Sequence, residues 1–350
     1  MRNVERFWRL LTIAAMLVSA LNMSLLSLTP VQAASLAVSL TDFSTYSQNF
    51  DSIGVSGTAT LPTDWKADKL ATAQTVGTYS AAVTATNYAA GNNMSGTASN
   101  GIYNYAAGDP ASATDRAVGF ISSSSATKSG NLYANFNNGT GSALSGLTLS
   151  YNVEKYRTGT NAAGFSVQLY YSLDGTNWTS AGSNFLTSFA ADGTTAGYAS
   201  APGATTAVSN QTLTVAIPSG SDFYLAWNYS VTSGTTTSSA QGLGIDDFSM
   251  TPVAAVVTPD LSINDVSLDE TNSGTTTASF TVSLSAPAPA GGVTFDIATA
   301  DNTATTADSD YVANSLTGQT IAAGNSSYTF DVTVNGDATV ETAETFFVNV

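Results

Sequence analysis

The sequence predicts an all-β fold, two β-sandwiches in series behind a helical leader, on three observations. Past the leader, apolar residues recur with a period of two and nowhere convincingly with a period of 3.6. Thr, Val, Tyr and Phe, which suit a pleated and half-buried surface, carry much of the composition. Gly- and Pro-rich punctuation separates the short runs. Low charge, 10% of residues, would suit disorder, but 43% apolar and 10% aromatic content over 350 residues supplies two cores.

Taking the elements in order, residues 1–33 read as a secretory signal. Arg2, Arg6 and Arg9 form its positive end, and residues 10–28 form an apolar run interrupted at Ser19, Asn22, Ser24 and Ser27. Val31-Gln32-Ala33 supplies the cleavage site, so the mature chain is expected to start near Ala34. An uncleaved membrane anchor is the competing reading, weakened by Asn22 and the serines. Either way the remainder is expected outside the cytoplasm, secreted or at the cell surface. No later segment is apolar enough to cross a bilayer.

In the first module, residues 36–251, Leu147, Leu149, Tyr151 and Val153 share one strand face, as do Phe165, Val167, Leu169 and Tyr171. Asp174-Gly175 then signals a hairpin with Trp178 on the return. Leu213, Val215 and Ile217 alternate next, followed after Pro218-Ser219-Gly220 by Phe223, Leu225, Trp227 and Tyr229. Residues 252–259, bracketed by Pro252 and Pro259, read as a linker. A second series with immunoglobulin-like spacing fills residues 260–350: Leu261 and Ile263; Ala278, Phe280, Val282 and Leu284; Val293, Phe295 and Ile297; Tyr328, Phe330, Val332 and Val334; Phe346, Val348 and Val350. The chain stops inside that last apolar strand, and the expectation is a fragment whose final strand is missing.

Chemistry is narrowed by what is absent. Without His or Cys there is no imidazole base, no Ser-His-Asp triad, no thiolate nucleophile and no zinc or haem site built on those ligands. Carboxylate mechanisms survive. Asp246-Asp247 reads as a turn cap, or else as a calcium pair or half of a glycosidase dyad. Glu154, beside Lys155 and Arg157, reads as an ordinary ion pair, so no catalysis is expected. Trp65, Trp178 and Trp227 would stack on sugar rings if exposed, with core packing the better reading of Trp227.

Asp and Glu number 25 against 9 Lys and Arg, and Arg157 is the last base in the chain. Such a surface repels phosphate backbones, which argues against direct nucleic-acid binding, and attracts cations.

Several blocks in the second series carry a family resemblance: Ile263-Asn264-Asp265-Val266-Ser267-Leu268-Asp269-Glu270, Phe280-Thr281-Val282-Ser283-Leu284, Ala300-Asp301-Asn302-Thr303-Ala304, Asp308-Ser309-Asp310-Tyr311 and Ile321-Ala322-Ala323-Gly324. The most specific is Gly336-Asp337-Ala338-Thr339-Val340-Glu341-Thr342-Ala343-Glu344-Thr345-Phe346. In this order they resemble the Calx-beta family, with Asn302 standing where the family more often has Gly. The resemblance implies a β-sandwich with Ca²⁺ at one pole, held by Glu270, Asp310, Asp337, Glu341 and Glu344 with the Thr339 carbonyl. The family completes that site with acids after its final strand, which lie beyond Val350. A solvated loop surface is the other reading of these acids.

The first module, through Asn49-Phe50-Asp51-Ser52, Leu61-Pro62-Thr63-Asp64-Trp65, Ser172-Leu173-Asp174-Gly175-Thr176-Asn177-Trp178 and Gly244-Ile245-Asp246-Asp247-Phe248, resembles the jelly-roll, lectin-like domains of exported bacterial proteins. Together the resemblances imply a non-catalytic surface or secreted region. A calcium-stiffened spacer would be joined to a module that contacts surface glycans or other extracellular proteins. The alternative is the accessory N-terminal part of an extracellular hydrolase, for example a nuclease, with its catalytic domain beyond residue 350.

Overall fold

The structure, a computed structural model, describes residues 37–256 and 258–350. The signal-peptide expectation, residues 1–33, lies outside the described residues, as does Leu36. The chain forms two compact units, one ending at Ala254 and the other running from Ala255 to Val350. Both are built of strands. Among the described residues the only helical turns are three of 3-10 type, at Asp51–Ile53, Tyr79–Ala81 and Ser183–Phe185.

The first unit contains β1 (Val38–Leu40), β2 (Tyr46–Gln48), β3 (Trp65–Leu70), β4 (Tyr88–Ala90), β5 (Gly101–Ala106), β6 (Arg116–Ile121) and β7 (Ser129–Asn138). It continues with β8 (Leu144–Arg157), β9 (Phe165–Ser172), β10 (Thr179–Ser180), β11 (Leu186–Phe189), β12 (Ala204–Ile217), β13 (Asp222–Val231) and β14 (Gly242–Ala254). One sheet runs β1-β7-β13-β9-β10, with β3 also on β7 and β11 also on β9. The other runs β12-β8-β14-β6-β5-β4, with β2 also on β14.

Their inner faces meet in an aromatic core. Trp65 of β3 stacks on Trp227 of β13 at 5.5 Å and 17°, and Phe248 of β14 and Tyr151 of β8 approach Trp227 edge-on at 5.1 and 5.7 Å from the opposite sheet. Leu147, Leu149, Tyr151 and Val153 all point into it, which is what their alternation dictates.

Three local expectations are adjusted. The Asp174-Gly175 hairpin joins β9 to β10 in antiparallel register, Tyr171 opposite Thr179, but through the six residues 173–178 rather than a two-residue turn. The Asp174 carboxylate explains the wider loop: it accepts the Thr176 and Asn177 N–H groups at 2.8 and 2.7 Å and the Asn177 side chain at 2.7 Å. Pro252, Val253 and Ala254, expected in the linker, continue β14 along β8. The pairing of β2 ends at Met250, so beyond it β14 has an open edge that tolerates a proline. Trp65 and Trp227 are wholly buried and closed to sugars, while Trp178 is half-buried, donating to the Gly77 carbonyl at 2.7 Å with its ring against Tyr133.

The second unit is a three-on-three sandwich: β15 (Leu261–Ile263), β16 (Gly274–Leu284) and β19 (Ser327–Gly336) in one sheet, β18 (Ser315–Ile321), β17 (Val293–Ala300) and β20 (Phe347–Asn349) in the other. Ala278, Phe280, Val282 and Leu284 of β16 and Phe330 and Val332 of β19 face Ile297 and Ile321 across the core.

Candidate metal centre

Three connections of the second unit meet at one end of its sandwich. The link from β15 to β16 brings Glu270, the link from β17 to β18 brings Asp310, and the segment between β19 and β20 brings Asp337, Glu341 and Glu344.

Hydrogen bonding explains why the middle loop sits there. The Asp310 carboxylate accepts the Thr305 N–H at 2.7 Å, its carbonyl accepts the Asn335 N–H at 2.9 Å, and Asn335 Nδ2 reaches the Ser309 carbonyl at 2.6 Å. The loop is thereby clamped to the end of β19. The last segment is pinned at its far end by Phe346, whose ring stacks on Tyr311 at 4.4 Å and meets Phe280 at 6.0 Å. Asn302, the departure from the family's glycine, contributes a bond that glycine has no atoms to make: its Nδ2 donates to Thr345 Oγ1 at 2.7 Å.

With both ends fixed, Asp310, Glu341 and Glu344 offer carboxylate oxygens that all lie within 4.8 Å of one another. Glu270 and Asp337 stand beside this triad, joined by the bond from the Asp337 N–H to Glu270 Oε1 at 3.3 Å. Asp337 also accepts the Thr339 N–H at 2.6 Å, a bond within the segment that leaves the role expected of the Thr339 carbonyl without a contact.

The charges feel each other. Glu341 is pushed above the usual carboxylate range by desolvation and then by Glu344, Asp310, Asp337 and Glu270. Glu344 is raised by desolvation, by Asp310 and by Asp308 and Glu270. Asp308, two residues before Asp310 in the Asp-Ser-Asp run, adds its charge to Glu344 from the same loop and was not among the residues that the sequence singles out as ligands. The donor set is carboxylate oxygen alone, which suits a hard divalent cation and excludes soft ones. Glu341 and Glu344 are exposed, and Asp310 is half-buried.

Acids of the first unit behave differently. Glu154 forms no ion pair with Lys155 or Arg157, because successive residues on a strand face opposite sides of the sheet. Lys155 instead pairs with Asp192 at 2.8 Å, and Arg157 donates to the carbonyls of Ser95, Gly96 and Ala240. Glu154 accepts the Tyr156 hydroxyl at 2.5 Å, and with Asp246 it is buried, so the two carboxyls are closed to a glycoside.

No family model and no curated protein matches this chain. Among solved structures, the crystal structure of the K3 cleaved adhesin domain of Lys-gingipain from Porphyromonas gingivalis w83 is similar, at 14% identity and a TM-score of 0.30, over 59% of this chain and 98% of that one. Among the described residues no helix is long and apolar enough to cross a membrane.

Proposed function

We propose that the second unit is a Calx-beta-type module that binds Ca²⁺ at its acidic pole. In this reading the chain is a non-catalytic, exported region whose first sandwich makes adhesive contacts with glycans or proteins outside the cell. The observation that carries the metal reading is the convergence of Asp310, Glu341 and Glu344 within 4.8 Å, in a chain with no base after Arg157 to neutralise them. Ca²⁺ takes about six to eight oxygens from adaptable loops. Asp310, Glu341 and Glu344 would hold it, with Glu270, Asp337 and the Thr339 carbonyl close by. The non-catalytic reading is supported by the absence of His and Cys and by the burial of Asp246 and Glu154.

A bound ion would tie the loop after β17 to the segment before β20 and replace repulsion by shared attraction. An ion that binds only the folded unit stabilises it by about 2.7 kcal/mol at 100 times its dissociation constant, a rise of about 10–20 °C in midpoint for a domain this size. Calorimetry of the chain with calcium and with chelator tests this. Trp65, Trp178 and Trp227 all belong to the first unit and the second has none, so the second unit's transition is the one silent in tryptophan fluorescence. An unchanged midpoint for that transition, or an equal rise in a Glu341→Gln/Glu344→Gln variant, would refute the site.

A further inference from the structure

The first unit holds a second gathering of acids that the calcium reading leaves unused. Asp246, 2% exposed, sits at the bulge of β14, where Asp247 takes a φ of 49° and the ladder to β8 shifts register before Ser249. Register places Asp246 opposite Asn152 and Gly244 opposite Glu154, so Glu154, 8% exposed, is its diagonal neighbour on the same face.

The groups facing this pair come from each packed element. From β8, the Tyr156 hydroxyl donates to Glu154 Oε2 at 2.5 Å, and from β12 the Thr205 hydroxyl reaches Oε1 at 3.5 Å. From β5, Tyr105 stacks on Tyr156 at 4.3 Å. The approach to β6 brings the charge of Asp115, and β14 itself brings Asp247, which accepts Asn152 Nδ2 at 3.0 Å. On β2, Tyr46 is turned to accept the Trp65 indole N–H. Of the nearby cations, Lys155 pairs with Asp192 and Arg157 donates to three carbonyls, while buried Arg116 donates through Nη2 to the Pro110 carbonyl at 3.0 Å, keeps Nε and Nη1 unbonded, and sets its charge near Tyr156 and Asp51 rather than in an ion pair with Asp246 or Glu154.

Buried carboxylates that no ion pair reaches relieve their cost by keeping a proton. Burial first, then the charges of Glu154, Asp247 and Asp115, outweigh the bond from the Asp247 N–H and push the Asp246 carboxyl well above the usual carboxylate range. Glu154 is raised as well, by burial before the charges of Asp115 and Asp247.

We propose that Asp246 and Glu154 form a proton-held lock, in which a proton kept on Asp246 seats β14 between β8 and β6 and its loss loosens the first unit. The sign follows from linkage. The folded state binds the proton more tightly than the unfolded state, so this stabilisation is complete at acid pH and is lost as pH rises through the folded value.

The test is urea unfolding of the whole chain, with chelator throughout, followed by tryptophan fluorescence. Between about pH 5 and 8 the unfolding constant is expected to rise about tenfold per pH unit, one proton's worth, and in Asp246→Asn by less than about threefold overall. Infrared spectroscopy at neutral pH should show a protonated-carboxyl carbonyl band that Asp246→Asn removes. Should that variant fail to fold, Glu154→Gln, which removes one repelling charge, should end the pH-dependent window at lower pH. A flat wild-type profile, an equal slope in Asp246→Asn, an unmoved window in Glu154→Gln or a missing infrared band each overturns the lock. So does a slope abolished by millimolar Ca²⁺ or Mg²⁺, which would make the cluster a cation site.

Discussion

Removing Asp192 isolates a charge that the first unit has hidden. Its carboxylate, 19% exposed, takes Lys155 Nζ at 2.8 Å, with the Lys155 side chain 9% exposed. It also takes Gln241 Nε2 at 2.7 Å and the Gly159 N–H at 2.9 Å, while its own N–H returns to the Gly159 carbonyl at 2.9 Å. Burial opposes its charge, but the bonds from Lys155, Gln241 and Gly159 win and hold it below the usual carboxylate range. Asp192→Ala takes the countercharge from an ammonium left with only Tyr198, one of two acceptors from Gln241 Nε2, and the acceptor of the Gly159 N–H. Breaking a fully buried pair costs about 3–5 kcal/mol, and the partial exposure of Asp192 lets water screen some of that, so the expected loss is about 3 kcal/mol.

The companion variants separate charge from hydrogen bonding. Asp192→Asn keeps an acceptor for Gly159 but not the countercharge, and should lose about 2 kcal/mol. Adding Lys155→Met removes the stranded charge while keeping contact with the Phe189 ring that Lys155 overlies at 5.4 Å, and should recover all but about 1 kcal/mol. Urea unfolding read by tryptophan fluorescence measures all three, with an unchanged denaturant slope as the check that the unfolded state is the same. A loss below about 1 kcal/mol in Asp192→Ala, or no recovery in the double variant, would refute the reasoning.

Other expected outcomes follow from equally local geometry. A Cβ at Gly119 would lie 2.0 Å from the Leu243 carbonyl oxygen and 2.5 Å from the Gly244 Cα, backbone atoms that cannot swing aside, so Gly119→Ala should cost at least about 1–3 kcal/mol in urea melts of the first unit. Phe346→Ala removes the ring between Tyr311 and Phe280; because that side chain is only half-buried the loss should be about 2 kcal/mol, less than for a core phenylalanine, measured by calorimetry of the second unit. The same variant should weaken calcium binding in titration calorimetry, since it frees one end of the segment carrying Glu341 and Glu344. Asn302→Gly should weaken binding less, by removing only the bond to Thr345.

How much could be read from sequence depended on whether a strand has one wet face. β8 and β16 do, and their alternating Leu147-Leu149-Tyr151-Val153 and Ala278-Phe280-Val282-Leu284 gave both position and inward face before any coordinates. β5 and β6 are buried along their whole length, and Ile102-Tyr103-Asn104-Tyr105 carries no period to detect. They passed unnoticed for that reason. The same limit applies to charge. The meeting of Asp310, Glu341 and Glu344 was expected only through the family resemblance of their blocks, since a stretch without bases after Arg157 says that acids lack a partner but not where they meet. The fate of Glu154 was not legible, because adjacency to Lys155 and Arg157 in sequence becomes opposition across the sheet, and only burial tells the two apart.

A shortage of cations therefore has two different resolutions in one chain, and solvent decides which applies. In the first unit Lys155 and Arg157 are committed to loops near the end of β8, and the acids left at the β14 bulge are too dry to stay charged, so a proton is the neutraliser. At the pole of the second unit the acids are half-buried or exposed and are gathered on loops that can adjust around an ion of about 2.3–2.6 Å oxygen distance. The two should respond oppositely to a rise in pH with calcium present. The first unit would lose its proton and soften, while the second, with Glu341 and Glu344 raised and completing their ionisation, would bind its ion more tightly. Following both transitions across pH in a single set of melts, one by tryptophan fluorescence and the other by calorimetry, would show midpoints that move apart in opposite directions; parallel movement would mean that one of the two neutralisers has been misassigned.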